Sequence, residues 1–273
     1  MSEAKLVVLE RRGAVAWVWL ERPEVHNAFN DVVVVQLEAA LSEAIESDAR
    51  AIVLGGRGGS FSAGADLKWM KSAGHTSDEE NVADAARLAS MLRRLACAPQ
   101  VTIARVQGAA LGGGLGLVAA CDLAIAVERA AFGFSEVKLG LIPAVISPHV
   151  IRKIGPGRAQ ALFVTGERFR GEAAFRHGLV SQVVPDTAAL DAALQETLAQ
   201  VLANAPEAVA KAKQLVAEVT RLQAAGDLAA VDAYTSQAIA SCRASEAARE
   251  GIGAFLEKRA PRWKLEPEPE PEA

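Results

Sequence analysis

The sequence predicts an α/β protein whose sheet-containing first part is followed by a helical C-terminal region. In the first part, short apolar runs alternate with stretches whose apolar residues recur at helical spacing. Strands separated by helices are typical of a parallel sheet with crossover connections. From Ala188 to Lys258 the chain is rich in alanine and has almost no strand signal. With 273 residues, 51% of them hydrophobic, the chain has enough apolar material for a sizeable core.

The elements of the first part follow from these two periodicities. The runs Lys5–Leu9 and Val15–Leu20 flank an Arg-Arg-Gly turn, so we predict a hairpin. Pro99 ends a helical run and precedes a buried strand. The further predictions are helices over Asn30–Ile45, Val82–Leu95 and Leu115–Ala120, and strands over Ala51–Leu54, Val101–Val106 and Leu123–Val127.

The second part predicts four helices. Pro206 stands where a helix begins, and Gly226 followed by Asp227 marks a break between helices. The predicted helices are Ala188–Leu202, Pro206–Val219, Leu228–Ser241 and Ser245–Lys258. The predicted domain organisation is a core over residues 1–190, a helical region over 191–263, and a disordered Glu/Pro tail over 264–273 that is extended and solvated.

Charge and hydropathy exclude two classes of partner. The net charge is −4 with both signs scattered, so no basic block is available to neutralise nucleic-acid phosphates. The most apolar stretch, Ala109–Val127, is interrupted by glycines and by Asp122, so we expect no membrane span. Residues 1–12 lack the apolar segment of a signal peptide. By elimination, we expect a cytoplasmic protein.

The three cysteines, Cys97, Cys121 and Cys242, lie far apart. An odd and sparse set indicates buried free thiols in a reducing compartment rather than a disulfide framework. We expect no metal site, because no Cys/His cluster with ligand spacing is present. The chain also lacks a Gly-x-Ser-x-Gly motif, which argues against a serine hydrolase.

Two glycine-bearing segments, Gly58–Lys68 and Gly108–Gly116, each follow a predicted strand. The second precedes the predicted helix Leu115–Ala120, and free N–H groups at a helix N-terminus favour an anion or a developing oxyanion. The segment lacks the lysine of a P-loop. The alternative interpretation is a tight turn with close helix packing.

Five motifs in order resemble the crotonase (enoyl-CoA hydratase/isomerase) superfamily over roughly residues 4–263. They are Arg22–Phe29, Phe61–Lys68, Gly112–Gly114 with Cys121 and Asp122, Phe132–Glu136 leading into Leu139–Pro143, and Arg249–Arg259. The resemblance implies a crotonase-type spiral of ββα units with a helical C-terminal trimerisation region. It also implies an acyl-CoA substrate and a homotrimer or homohexamer. Coenzyme A enters as part of the thioester, and no separate cofactor is implied.

The resemblance implies a catalytic trio. The backbone N–H groups of Ala65 and Gly113 would point at the thioester oxygen, where negative charge develops when a proton leaves the neighbouring carbon. Glu136 matches the family's glutamate that exchanges a proton with the substrate's α-carbon. The alternatives are ordinary turn residues for the first two and an exposed helix-start glutamate for the third.

The chain departs from two-glutamate hydratases at Gly116, which stands where they carry the second glutamate. Either Glu136 performs both proton transfers, or another polar group holds water, or the enzyme is not a hydratase. The run Ala144–Pro148, together with Leu115 and Gly116, is similar to bacterial 3-methylglutaconyl-CoA hydratases of leucine and isovalerate metabolism.

A second carboxylate on such a substrate would need a cationic or hydrogen-bonding partner. The candidates are Lys68, Arg152 and His149. For His149, the favoured alternative is a packed loop histidine.

The same motifs imply contacts with coenzyme A. The implied residues are Ala63, Asp66, Leu67 and Lys68 along its path, His26 and Ala28 in a bordering loop, Gly112 and Gly116 beside the substrate, and Phe255 and Lys258 from the last helix, commonly of a neighbouring subunit. Phe255 in the core and Lys258 on a solvated face are the alternatives. Asp122 is assigned a structural role.

Three functions stay open from the sequence. The first is hydration and dehydration of an enoyl-CoA, most specifically the interconversion of 3-methylglutaconyl-CoA and 3-hydroxy-3-methylglutaryl-CoA. The second is a Δ3,Δ2-enoyl-CoA isomerase that uses Glu136 alone. The third is an acyl-CoA-binding protein without turnover.

Overall fold

The computed structural model describes residues 4–73 and 77–265. It contains two sheets and eleven α-helices within these ranges. Most of the predicted Glu/Pro tail, residues 266–273, lies outside the described residues. None of the described helices has both the length and the apolar character needed to cross a membrane.

Six strands form the larger sheet, in the order β1-β2-β3-β5-β7-β10. The β1–β2 pair is the predicted antiparallel hairpin, and the other neighbours are parallel. The strands of both sheets are β1 Val7–Arg12, β2 Val15–Leu20, β3 Ala51–Gly56, β4 Ser60–Ser62, β5 Val101–Val106, β6 Ala109–Leu111, β7 Leu123–Val127, β8 Ala131–Gly133, β9 Arg168–Arg170 and β10 Gln182–Val184. The predicted turn is wrong in one detail, because Arg11 and Arg12 pair within β1.

The central strands β2, β3 and β5 are buried at every position. Continuous burial is expected of parallel strands, whose two faces are both covered. Their near-uniform apolar sequence therefore predicted them well. The core spans both faces of this sheet and includes Trp17, Leu54 and Ile103.

A second sheet, in the order β4-β6-β8-β9, was not predicted. Its strands are only three residues long, which is too short for a periodic signal. Each of β4, β6 and β8 follows a long strand of the first sheet and precedes a helical segment. The core thus repeats a unit of two strands and a helix, as the resemblance implied.

All seven predicted helices are present in the described residues, and four further helices were not predicted. Side-chain caps fix several starts: Asn30 accepts a hydrogen bond from the Val33 amide at 2.9 Å, and Ser77 forms a capping box with Glu80. The helices are α1 Asp31–Glu46, α2 Leu67–Ala73, α3 Asp78–Ala96, α4 Gly113–Ala120, α5 Ser147–Ile154, α6 Pro156–Thr165, α7 Gly171–His177, α8 Thr187–Leu202, α9 Pro206–Ala224, α10 Leu228–Arg243 and α11 Glu246–Leu256. Those that were not predicted are α2, α5, α6 and α7.

The three cysteines do not share one environment. Cys121 is buried at the end of α4, and burial raises the pKa of its thiol to about 12. Cys97 is exposed and Cys242 is half-buried, so the prediction that all three are buried is wrong. Cys97 is the C-cap of α3, where the helix reaches the surface.

Candidate active site

A cavity of about 410 Å³ lies between the core and helices α2 and α3. It brings together Ala65, Gly113 and Glu136, which lie far apart in the chain. The other lining residues are Phe29, Asp31, Val34, Trp69, Met70, Asn81, Asp84, Ala85, Arg87, Leu88 and the loop Leu141–Ile146. A mostly apolar cavity with a few convergent polar groups is the usual form of a small-molecule site.

A short bridge fixes the backbone at Ala65. The Phe29 amide donates to the Gly64 carbonyl at 2.7 Å, and the Asp66 amide donates to the Phe29 carbonyl at 2.7 Å. In a parallel bridge of this kind, the N–H of the middle residue points away from the partner strand. Among the described residues nothing accepts a hydrogen bond from the Ala65 amide, so this donor is available to a ligand.

Two glycines let this segment approach the start of α4. Gly64 has φ +86°, and a Cβ there would lie 2.7 Å from the Leu111 carbonyl oxygen and 3.2 Å from the Gly113 nitrogen. Gly112 has φ +47°, which a side chain would strain. Its amide donates to the Gly133 carbonyl at 3.0 Å and so anchors the turn to β8. The Gly113 amide is the first of α4, where it has no partner within the helix.

The first turn of α4 carries the partial positive charge of the helix dipole. Gly114 allows the helix to sit against β4, because a Cβ there would lie 2.6 Å from the Ser62 carbonyl oxygen. The amides of Ala65 and Gly113 therefore face one cavity from two rigid segments. Such paired donors suit an oxygen that gains negative charge.

Glu136 begins a short 3-10 helix, Glu136–Leu139, which ends at Gly140 in the left-handed conformation. Its carboxylate lies beside the N-terminus of α4, since a Cβ on Gly112 would be 3.2 Å from Glu136 Oε1. Oε2 is buried and has no hydrogen-bond partner in the described structure. Burial raises the pKa of Glu136 above its ordinary value, which suits a group that both accepts and returns a proton.

Gly116 lies one turn further along α4, behind the wall of the cavity. A Cβ there would lie 2.2 Å from Ile146 Cγ2, so Ile146 occupies the space of any side chain at this position. Ile146 itself is 3% exposed and lines the cavity. Gly116 was predicted to contact the substrate, but Ile146 covers it and lines the cavity in its place.

The predicted coenzyme A residues of the first motifs lie around the Ala65 segment. His26 has φ 55°, and its Nδ1 is 3.1 Å from Ser60 Oγ. Asp66 accepts a hydrogen bond from Arg22 at 2.8 Å, and this contact lowers the pKa of the Asp66 carboxyl. Ala63 is half-buried, Ala28 is buried, and Leu67 and Lys68 are exposed. None of these six predicted residues lines the cavity itself.

No residue of the last helix is among the residues that line the cavity within this chain. Phe255 is 82% exposed, and Lys258 is exposed just beyond the end of α11, so the alternative of a core position for Phe255 is wrong. Asp122 does lie in a structural network. It accepts hydrogen bonds from the Thr102 amide and hydroxyl, at 2.8 and 3.0 Å, and forms an ion pair with Lys213 at 2.6 Å.

The proposed partners for a second substrate carboxylate are placed differently from the prediction. Lys68, His149 and Arg152 are not among the lining residues. His149 is half-buried on α5, and burial lowers the pKa of its imidazole. The basic side chain that does line the described cavity is Arg87, which the sequence did not single out. The sequence offered one sign of Arg87: it lies next to Leu88 in the predicted helix Val82–Leu95, and both residues line the cavity.

The part of the chain that the structure describes contains no group of three or more His, Cys, Asp or Glu side chains placed to hold a metal ion.

Comparison with known proteins gives a consistent result. The family described as enoyl-CoA hydratase/isomerase matches residues 10–266. The chain is 33% identical to the short-chain-enoyl-CoA hydratase of Clostridium acetobutylicum, covering 94% of this chain and 97% of that protein. It is 34% identical to the 2,3-dehydroadipyl-CoA hydratase of Escherichia coli, covering 97% and 99% respectively. The crystal structure of an enoyl-CoA hydratase from Shewanella pealeana superposes with a TM-score of 0.89 at 39% identity, covering 94% of this chain and 96% of that chain.

Proposed function

Because the chain belongs to the enoyl-CoA hydratase/isomerase family, we propose that it adds water reversibly to the double bond of an enoyl-CoA at the cavity described above. The Ala65 and Gly113 amides hold the thioester oxygen. Glu136 is the acid–base group. The observation that carries this proposal is the convergence of two unpartnered backbone donors and one unpaired carboxylate oxygen on a single cavity.

The reaction needs three events at these atoms. Ionised Glu136 accepts a proton from water, and the oxygen of that water forms a bond to the substrate's β-carbon. The electrons of the C=C bond move onto the thioester oxygen, where the two amides stabilise the enolate. Glu136 then returns the proton to the α-carbon, which yields the 3-hydroxyacyl thioester. Coenzyme A takes part only as the thioester carrier, and the proposal involves no other cofactor.

Within this class, we propose 3-methylglutaconyl-CoA as the preferred substrate. Three features support a branched acyl group with a distal carboxylate. Ile146, Leu141 and Val145 give the cavity an apolar wall, and Arg87 supplies a cation at its edge. The relative from Escherichia coli is named for 2,3-dehydroadipyl-CoA, whose acyl group also carries a free carboxylate.

A direct test incubates the protein with crotonyl-CoA, a 3-enoyl-CoA and 3-methylglutaconyl-CoA. Uptake of water by 3-methylglutaconyl-CoA, with loss of its enoyl thioester absorbance and a kcat/KM at least about tenfold above that for crotonyl-CoA, supports the finer proposal. Faster turnover of crotonyl-CoA leaves the hydratase proposal and rejects the substrate. A binding protein without turnover would leave all three unchanged.

One observation favours a second reaction, the Δ3,Δ2-enoyl-CoA isomerisation. Isomerisation moves a proton between two carbons and needs no water, so one carboxylate suffices. Ile146 occupies the space beside Gly116, where two-glutamate hydratases carry their second glutamate, so Glu136 lacks that partner. Conversion of the 3-enoyl-CoA to its 2-enoyl isomer without hydration would identify this reaction as the activity.

We also propose that the chain works as a homotrimer or a homohexamer. On α11, the spacing i, i+3, i+4 places three exposed apolar side chains on one face of the helix. They are Ile252, Phe255 and Leu256, and their exposed fractions are 60, 82 and 73%. A neighbouring copy that covers them would also bring Phe255 and Lys258 towards another chain's cavity. The cytoplasm stays the predicted compartment.

A further inference from the structure

The contact between Gly116 and Ile146 joins two segments that form one wall of the cavity. A Cβ on Gly116 would lie 2.2 Å from Ile146 Cγ2 and 2.8 Å from Ile146 Cβ. The absence of a side chain at 116 is what allows Ile146 to sit against α4. A methyl group at position 116 would therefore displace Ile146, which lines the cavity.

This wall lies close to the reacting atoms. A Cβ on Gly112 would lie 3.2 Å from Glu136 Oε1, and Gly116 is four residues later on the same face of α4. Residues at this spacing lie about 6 Å apart on a helix surface. Ile146 is therefore about one helical turn from the carboxylate, whereas the thioester oxygen is held at Ala65 and Gly113. With the thioester placed as proposed, the hydrocarbon attached to the substrate's β-carbon would meet Ile146.

We propose that Ile146, seated against Gly116, sets the size of the group that the cavity accepts beyond the substrate's β-carbon. The inference rests on the proposed function for the placement of the thioester. Shortening Ile146 opens space over Gly116, whereas adding a methyl group to Gly116 pushes Ile146 inward. The two changes therefore move acyl-chain preference in opposite directions, and combining them restores it.

Binding of saturated acyl-CoAs tests this inference without requiring turnover. The measurement is the ratio of dissociation constants for butyryl-CoA and octanoyl-CoA, determined by calorimetry for the wild type, Ile146→Ala, Gly116→Ala and the double variant. Ile146→Ala shifts the ratio towards octanoyl-CoA by about tenfold, the scale of a small change in an apolar pocket. Gly116→Ala shifts it towards butyryl-CoA, and the double variant returns within about threefold of wild type.

Ile154→Ala is the matched control. Ile154 is 5% exposed, stands on α5 close to Ile146 in sequence, and does not line the cavity. Its truncation lowers stability by a comparable mechanism but leaves the chain-length ratio unchanged. Equal ratios for Ile146→Ala and Ile154→Ala would overturn the inference, even if Gly116→Ala failed to fold.

The outcomes also separate this inference from the hydratase proposal. A wild type that binds both acyl-CoAs but hydrates no enoyl-CoA rejects the reaction, while the binding ratios still decide the role of Ile146. A folded wild type that binds neither acyl-CoA rejects both.

Discussion

At the scale of single residues, the site depends on where side chains are missing as much as on where they are present. Gly64 and Gly112 allow the backbone donors to approach one another, and Glu136 is the side chain for which we propose a chemical role. The sequence indicated Ala65, Gly113 and Glu136 because each stands in a local motif. Ile146 lies in the run Ala144–Pro148 that the sequence singled out, but its contact with position 116 could not be predicted. Arg87 could not be found from a motif, since only the folded chain brings α3 to the cavity.

Replacing Glu136 with glutamine tests two effects of the carboxylate separately: its contribution to catalysis and the loss of folding stability caused by burying its charge. We expect Glu136→Gln to lower kcat/KM for hydration by at least about 10²-fold, the usual contribution of a positioned acid–base group. At pH 7.5, the free energy of unfolding of the variant should exceed that of the wild type by about 1 kcal/mol, because the variant no longer buries a charge.

The stability difference should depend on pH in one direction. Burial raises the pKa of Glu136 in the folded state above its ordinary value of roughly 4.3. Between these two pKa values, the folded state binds more protons than the unfolded state. Wild-type stability therefore falls as the pH rises through this window, and the advantage of Glu136→Gln should shrink towards pH 4. Urea unfolding at both pH values measures it. An advantage that grew at pH 4 would contradict the assigned burial cost.

Alanine substitutions at Gly64 and Gly59 test whether the backbone donors depend on the close approach of the chain at Gly64. Gly64→Ala should lower the free energy of unfolding by about 1–3 kcal/mol, because φ is +86° and the Leu111 carbonyl oxygen is 2.7 Å from the new Cβ. It should also cost about 10²-fold in kcat/KM by displacing a donor. Gly59→Ala is the control: no atom lies within 4 Å of its Cβ, and a change within about 1 kcal/mol is expected. Equal effects of the two variants would refute this placement.

At the scale of elements, the long strands and seven of the eleven described helices could be predicted, whereas the second sheet and helices α2, α5, α6 and α7 could not. The strands β2 and β3 are apolar along their whole length, and β5 is apolar except at Thr102 and Arg105. The predicted helices have apolar residues at helical spacing, and several have side-chain caps. The strands β4, β6 and β8 have three residues each, so their pairing depends on the longer strands that precede them. The glycines before these strands were the remaining sign of the second sheet. Gly108 allows the segments before β4 and β6 to approach closely, because a Cβ on Gly108 would lie 2.0 Å from the Gly59 carbonyl oxygen.

Helix α4 needs support at its far end if its N-terminus is to hold an oxyanion. Lys153 provides it: its Nζ donates to the carbonyls of Cys121 at 2.5 Å, Asp122 at 3.3 Å and Val118 at 3.5 Å. These groups end the helix, and a cation at a helix C-terminus is favourable. Burial lowers the pKa of Lys153, which is the cost of placing this charge in the interior.

Lys153→Met should therefore destabilise the protein by about 1–3 kcal/mol, since it leaves buried carbonyls without a donor. Thermal unfolding measures the loss. The control is Lys211→Met at an exposed lysine on α9, which should change stability by less than about 0.5 kcal/mol. If both variants unfolded at the wild-type temperature, the lysine would not be holding the helix end.

At the scale of the whole molecule, α8 packs into the core through leucines such as Leu194 and Leu198, and polar contacts join the later C-terminal segments to the core. Lys213 on α9 forms the ion pair with Asp122 and donates to the Ala98 and Gln100 carbonyls at 2.6 and 2.5 Å. Arg50 donates to the Trp263 carbonyl at 2.6 Å. The four helices were predictable from composition and periodicity, but these contacts depend on the tertiary fold. Helices α10 and α11 contribute few buried residues to the core.

The exposed apolar surface of α11 leads to the last prediction. Large exposed apolar patches mark association surfaces. Phe255, at 82% exposure, lies at the centre of the group formed with Ile252 and Leu256, so a charge there should oppose burial against another copy. We expect Phe255→Glu to shift the mass measured by analytical ultracentrifugation from three or six chains towards one. Val82→Glu, at a 68% exposed position on α3, should keep the wild-type mass. Because the proposal also places Phe255 near a neighbour's coenzyme A, the dissociated variant should bind acyl-CoA more weakly. An unchanged mass with Phe255→Glu would show that α11 does not form the interface.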